Sequence, residues 1–152
     1  MSNKTSASSS FRLQGTDGIR SEARRAKGED AIDPVKIFLE RNIITDRFME
    51  LYVHTWTRNL ESRLPNDSKK SIIVGWDPRD TESVFSEAVI RGIRKAGATA
   101  LVAGIVPTPL VSMMVIDKKA AGGVMITASH NPKDQNGIKL FSGYRGLKLL
   151  PA

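Results

Sequence analysis

Three short apolar runs, Ser71-Ile-Ile-Val-Gly-Trp76, Thr99-Ala-Leu-Val-Ala-Gly-Ile105 and Gly122-Gly-Val-Met-Ile-Thr127, alternate with two helix-like segments, and this alternation decides the fold. Short apolar runs rich in β-branched residues and bounded by Gly, Pro and Asp read as buried strands. The first intervening segment, Glu82–Ala96, carries Phe85, Ala88, Val89, Ile93 and Ala96 on one helical face and stops at Gly97, a residue suited to the position after a C-cap. The second, Pro109–Lys119, follows Thr108 as cap, has proline in its first turn, and is apolar nearly all round through Leu110–Ile116, so it is expected to be buried. A β-α-β-α-β order implies right-handed crossovers and a three-layer α/β domain, with a mainly parallel, mixed sheet and helices on both faces. In such sheets ligands bind beyond the carboxyl ends of the strands.

The stretch leaving the third of these strands, Thr127-Ala-Ser-His-Asn-Pro-Lys-Asp-Gln-Asn-Gly-Ile-Lys139, is therefore where chemistry is expected. It runs into a further strand signal, Ile138–Phe141, so its polar residues sit on a loop held at both ends. Ser129 is the one hydroxyl in the loop proper, and a phosphate ester there would carry a charge of roughly −1.5 to −2 at neutral pH. His130 and Lys139 are the cations at hand, and the turn pairs Asn131-Pro132 and Asn136-Gly137 would fold them back toward the serine, with Gly137 free to take a positive φ. Any one of these residues alone reads as part of a solvated hairpin; together they read as a phosphoryl-carrying loop. The loop Asp77-Pro78-Arg79-Asp80 leaves the same edge, and Arg79 is either a phosphate contact or the partner of Asp77 or Asp80 in an ion pair.

Thr127-Ala-Ser-His-Asn-Pro132 followed by Asn136-Gly-Ile-Lys139 resembles the active-site signature of the α-D-phosphohexomutases, and Gly15-Thr-Asp-Gly-Ile-Arg20 resembles the N-terminal signature of the same family. The resemblance implies that Ser129 is phosphorylated and exchanges its phosphoryl group with a hexose phosphate through a hexose bisphosphate. It implies that Lys139 and Arg20 serve proton transfer, charge stabilisation and substrate binding, and that His130 positions the serine or the sugar. It also implies a Mg²⁺ ion between the Ser129 phosphate and an aspartate-rich loop, which does not occur in this sequence. The family has four domains and the resemblance covers one, so the remaining mutase domains are missing partners and the chain alone is expected to be inactive. Where the family continues with glycine after the N-terminal arginine, this chain has Ser21 and a charged run through Asp30, which leaves the path there open. The alternative reading is a non-catalytic anion- or phosphosugar-binding domain.

Elsewhere the chain sets bounds. Met1–Ser10 is Ser-rich and nearly free of apolar residues, so it reads as a disordered tail, leaving residues 11–152 as one domain. Asp33-Pro34 suits the start of a short helix. From Thr45, Phe48, Leu51, Tyr52, Trp56 and Leu60 step by three and four, marking an amphipathic helix capped by Thr45 and ended by Pro65-Asn66-Asp67, with His54 at its boundary. A net charge of +7 favours anionic partners, but the basic residues are scattered, which argues against nucleic acid. The absence of cysteine excludes disulfides and thiolate metal sites, and no apolar run reaches a membrane span, so a cytoplasmic setting without membrane contact is expected. The absence of a Gly-x-Ser-x-Gly elbow argues against a serine hydrolase, and the absence of a Gly-x-x-x-x-Gly-Lys-Ser/Thr loop excludes a P-loop nucleotide enzyme.

Overall fold

The computed structural model describes residues 18–61, 70–143 and 146–149. The tail expected at Met1–Ser10, most of the N-terminal signature and the helix stop at Pro65-Asn66-Asp67 lie outside these residues. In chain order the elements are β1 (Ile19–Arg24), a single 3-10 turn (Gly28–Ala31), α1 (Pro34–Arg41), β2 (Ile43–Thr45), α2 (Asp46–Glu61), β3 (Ser71–Trp76), α3 (Val84–Lys95), β4 (Thr99–Ile105), α4 (Thr108–Asp117), β5 (Gly122–Ile126) and β6 (Gln135–Ser142). They form one six-stranded sheet in the order β2-β1-β6-β5-β3-β4. β4, β3 and β5 run parallel, as do β1 and β2, and β6 lies antiparallel between β5 and β1.

Side-chain alternation along the strands sorts the core into two layers. Ile72, Val74, Val124, Ile126, Ile138 and Leu140 point to one face, where they meet Phe48, Met49 and Val53 of α2 and Val89 and Ile93 of α3. Ile73, Met125 and Phe141 point to the other and meet Val111 and Val115 of α4. The three-layer α/β expectation holds, as do the caps at Thr45 and Asp33, but Thr108 does not cap α4: it is the first residue of the helix, Pro107 stands at the N-cap, and no side-chain hydrogen bond closes that end. The Thr45 hydroxyl accepts from the Phe48 amide (3.1 Å), the Asp33 carboxylate accepts from the Lys36 amide (3.0 Å), and Gly97 takes φ +93° after α3.

Four further expectations are corrected. First, β1 and β2 were not legible as strands, because β1 is charged and β2 is three residues long; pairing with neighbours on both sides makes β1 extended. The open path after Arg20 is thus a strand through Arg24, whose guanidinium then pairs with Asp30 (2.9 Å). Second, α3 starts at Val84 rather than Glu82, and the buried Asp80 carboxylate accepts from the Phe85 and Ser86 amides (3.2 and 2.7 Å), satisfying donors that every helix start leaves open. Third, on α2 the exposed Leu51 leaves the stripe and the fully buried Met49 and Val53 join it. Fourth, α4 is not buried all round: only Val111 and Val115 are, whereas Leu110, Met113 and Ile116 are exposed. α4 covers β3, β5 and β6 on its inner side and no described helix covers its outer side.

α2 and α3 pack closely because Gly92 has no side chain; a Cβ there would lie 2.4 Å from the Glu50 carbonyl oxygen. Beside this crossing the buried Glu50 carboxylate accepts from Arg91 Nε (3.1 Å) and from Lys95 Nζ, with Arg47 at 3.6 Å. Burial works to raise the carboxyl pKa, but the hydrogen bonds and charges of Lys95 and Arg91 outweigh it and hold Glu50 below its ordinary value. A depressed carboxyl stabilises the fold above its ordinary pKa of 4.5, and that contribution is lost as the pH falls through the lower folded value. Glu50→Ala is therefore expected to cost about 1.5–3 kcal/mol at pH 7 in urea denaturation, and the difference from the parent chain should shrink in acid below the ordinary carboxyl range. A difference independent of pH would place the cost in packing instead.

Candidate active site

β5 ends at Ile126, and the Thr127 amide donates back to the Gly137 carbonyl (2.9 Å), which pins the loop's entrance to β6. Between these points the chain makes two consecutive tight turns, closed by Asn131 N–H to Ala128 O and by Gln135 N–H to Pro132 O, each 3.1 Å. Ser129 occupies the second position of the first turn with φ +54°, and the residue is exposed. Its amide donates to the Thr127 hydroxyl oxygen (2.8 Å), and that hydroxyl donates to the Asp77 carboxylate (2.6 Å).

Lys139 is not on the loop, as expected from the sequence, but inside β6, opposite Met125 of β5. That position faces the α4 side of the sheet, and the lysine is buried, with Nζ donating to Ser129 Oγ at 3.0 Å. An ammonium thus lies beneath an exposed hydroxyl. A phosphate ester on that oxygen would have part of its charge offset at contact range, in partly desolvated surroundings where a charge pair is worth more than in water.

Arg20 stands on β1 opposite Gly137, on the same face of the sheet as Lys139. Its side chain crosses Gly137, with Cγ 3.0 Å from the place a Cβ would take. The expected role of Gly137 is corrected here. Asn136-Gly137 is not a turn but part of β6, and Gly137 is required by close approach rather than by positive φ, because a Cβ would sit 2.2 Å from the Ile19 carbonyl oxygen. His130 is likewise corrected in position. It lies exposed at the loop tip, and among the described residues no hydrogen bond joins its imidazole to Ser129.

Arg79 is where sequence reasoning fell shortest. It pairs with Asp77 rather than Asp80, Nε meeting the two carboxylate oxygens at 3.0 and 2.9 Å, and its terminal nitrogens donate to backbone carbonyls of the Ser129 loop. Only the shared sheet edge of the two loops hinted at this. Beside Ser129 opens a cleft of about 380 Å³ lined by Asp77, Pro78, Pro107, Thr108 and Thr127, at the C-terminal ends of the parallel strands. Among the described residues no group of three or more His, Cys, Asp or Glu side chains is placed to hold a metal ion. Asp77, the carboxylate nearest the serine in this hydrogen-bond chain, is already engaged by Arg79 and Thr127.

Fold and loop define an α/β/α domain that presents a serine, backed by a lysine, beyond the carboxyl edge of its sheet. The model for "Phosphoglucomutase/phosphomannomutase, alpha/beta/alpha domain I" matches residues 12–151. The chain is 34% identical over 131 residues to a phosphoglucosamine mutase of Rhodococcus opacus, covering 86% of this chain and 25% of the relative. It is 35% identical over 137 residues to that of Francisella philomiragia, covering 89% and 26%. Among solved structures, one described as a "putative phosphomannomutase" from Thermus thermophilus superposes with a TM-score of 0.66 at 28% identity, over 89% of this chain and 26% of that one. The chain belongs to the phosphoglucomutase/phosphomannomutase family and carries its α/β/α domain I. It spans about a quarter of the length of these relatives.

The close approach at Gly137 gives a direct check. Gly137→Ala should separate β1 from β6 and lower stability by about 1–3 kcal/mol in urea denaturation. A midpoint unchanged from the parent chain would contradict the packing described here.

Proposed function

We propose that this chain supplies the phosphoserine domain of a phosphohexomutase, which interconverts hexose 1-phosphate and 6-phosphate through a hexose bisphosphate. The observation that carries the reading is the Lys139 ammonium 3.0 Å from Ser129 Oγ, at the sheet edge where an α/β domain binds ligands. Family membership supports it.

In this reading phosphorylated Ser129 is attacked by a free hydroxyl of the sugar phosphate. The bond from phosphorus to Ser129 Oγ breaks, the bond to the sugar oxygen forms, and the hydroxyl proton is released. Lys139 stabilises the charge on the departing serine oxygen and can return a proton to it; Arg20 adds positive charge from the neighbouring strand. After the bisphosphate reorients, its other phosphate returns to Ser129, so the overall reaction is an isomerisation. His130, at the exposed tip, is assigned to orient the sugar. Phosphoryl transfer asks mainly for alignment and preorganised charge, which a lysine held in a strand provides. A Mg²⁺ ion would offset phosphate charge during transfer; this chain offers it the Ser129 phosphate and no carboxylate cluster among the described residues, so its other ligands belong to other domains.

Those domains would also cover the exposed apolar side of α4, Leu110, Met113 and Ile116, since apolar patches on soluble domains mark contact surfaces. No described helix is long and apolar enough to cross a membrane, and the proposed setting is the cytoplasm. The chain alone should bind phosphosugar weakly and turn nothing over.

In the complete enzyme, incubation with a hexose bisphosphate should place one phosphoryl group on Ser129, mapped by mass spectrometry. Binding with Ser129 left unmodified would favour a non-catalytic phosphosugar-binding domain. Lys139→Met should lower kcat about 10²–10³-fold, the range seen when one preorganised donor is removed. Steady-state rates on that variant check it, and unchanged turnover would return Lys139 to a structural part.

A further inference from the structure

We infer that Arg79 is a positioning residue that sets the backbone of the Ser129 loop, acting on the reacting oxygen through the chain rather than by touching the transferred group. A guanidinium has five N–H donors in one rigid plane. Nε is taken by the Asp77 carboxylate (3.0 and 2.9 Å). One terminal nitrogen donates to Gln135 O (2.7 Å), to Pro132 O (3.1 Å) and, at its limit, to Asn131 O (3.4 Å); the other donates to Ser129 O (2.7 Å). These acceptors bracket both tight turns, from the second residue of the first to the last residue of the second. One planar group therefore ties the two turns together. The Arg79 side chain is only 14% exposed, at most one N–H remains for a ligand, and its charge is already balanced by Asp77.

The same ion pair also holds Ser129 from its other end. Asp77 accepts from the Thr127 hydroxyl, which accepts from the Ser129 amide, so the amide and the carbonyl of Ser129 are both referred to the Arg79–Asp77 pair. This closed circuit matters because Ser129 sits at φ +54°, in the left-handed region that residues other than glycine rarely adopt. Opening the circuit at either end releases that conformation and with it the 3.0 Å contact between Ser129 Oγ and Lys139. Lysine cannot replace Arg79, since one ammonium cannot span acceptors spread over two turns and a carboxylate.

The role in catalysis rests on the reading of Ser129 as phosphoryl carrier; the role in loop geometry does not, and the experiment separates the two. In this 152-residue chain, amide hydrogen exchange is measured for the parent, Arg79→Lys and Thr127→Val. Both variants should speed exchange of the Ser129, Asn131 and Gln135 amides tenfold or more, while the β3 and β5 amides, which report the fold, stay as in the parent. In the complete enzyme Arg79→Lys and Arg79→Ala should lower kcat about 10²-fold with little change in KM, the cost of a misplaced group. Added methylguanidinium should restore part of the Arg79→Ala rate, whereas a merely structural arginine would show no such rescue. Parent-like loop exchange in both variants, or a raised KM with unchanged kcat, would overturn the inference. Loosened loop amides in an enzyme whose Ser129 never takes a phosphoryl group would support the loop role and overturn the mutase reading instead.

Discussion

Lys139 sits opposite Met125 across β5 and β6, and the loop joining those same two strands carries Ser129, so one register places an ammonium under the hydroxyl. The rest of the domain serves that register. A shift of β6 by a single residue would send Lys139 into the α2–α3 core, where Ile138 and Leu140 now pack, and would move those two side chains to the α4 face. The register is thus secured by burial on both faces at once. It is secured again at the loop's entrance, where Thr127 pairs with Gly137, and at β1, which closes on Gly137 so tightly that only glycine fits. The charged site is held by apolar packing outside it.

The central β-α-β-α-β portion was legible from sequence because its strands are short buried runs and its helices carry their own stops: Ser71–Trp76, Thr99–Ile105 and the turn at Gly97 follow the composition closely. β1 was not legible, since Arg20, Glu22 and Arg24 give no apolar pattern and the strand exists through its pairing with β2 and β6. The site divides in the same way. Ser129 with Lys139 could be read from residue types and motif, but the placement of Lys139 in a strand depends on β6 running back through the middle of the sheet. The contacts of Arg79 were beyond the sequence altogether, because they join residues about 50 positions apart through backbone carbonyls, which leave no mark on side-chain identity.

The apolar outer face of α4 shows how local pattern and tertiary context part company. A helix apolar nearly all round normally signals burial, and here the inner half of the pattern is satisfied by Val111 and Val115 while the outer half is not. The composition of α4 is thus that of a helix with two partners, of which the described residues supply one. The cleft beside Ser129 fits the same picture: among the described residues Asp77, Thr108 and Thr127 line it, and it stands open to solvent at the strand ends.

The central claim is that the Ser129 oxygen and the Lys139 ammonium form one working pair. Its most direct measurement is the pH titration, by phosphorus NMR, of this chain carrying phosphoserine at position 129. With the ammonium in contact, the second phosphate ionisation should fall clearly below the value of about 6 of a free phosphoserine, and Lys139→Met should bring it back. An ionisation at or above the free value, unmoved by the substitution, would contradict the account.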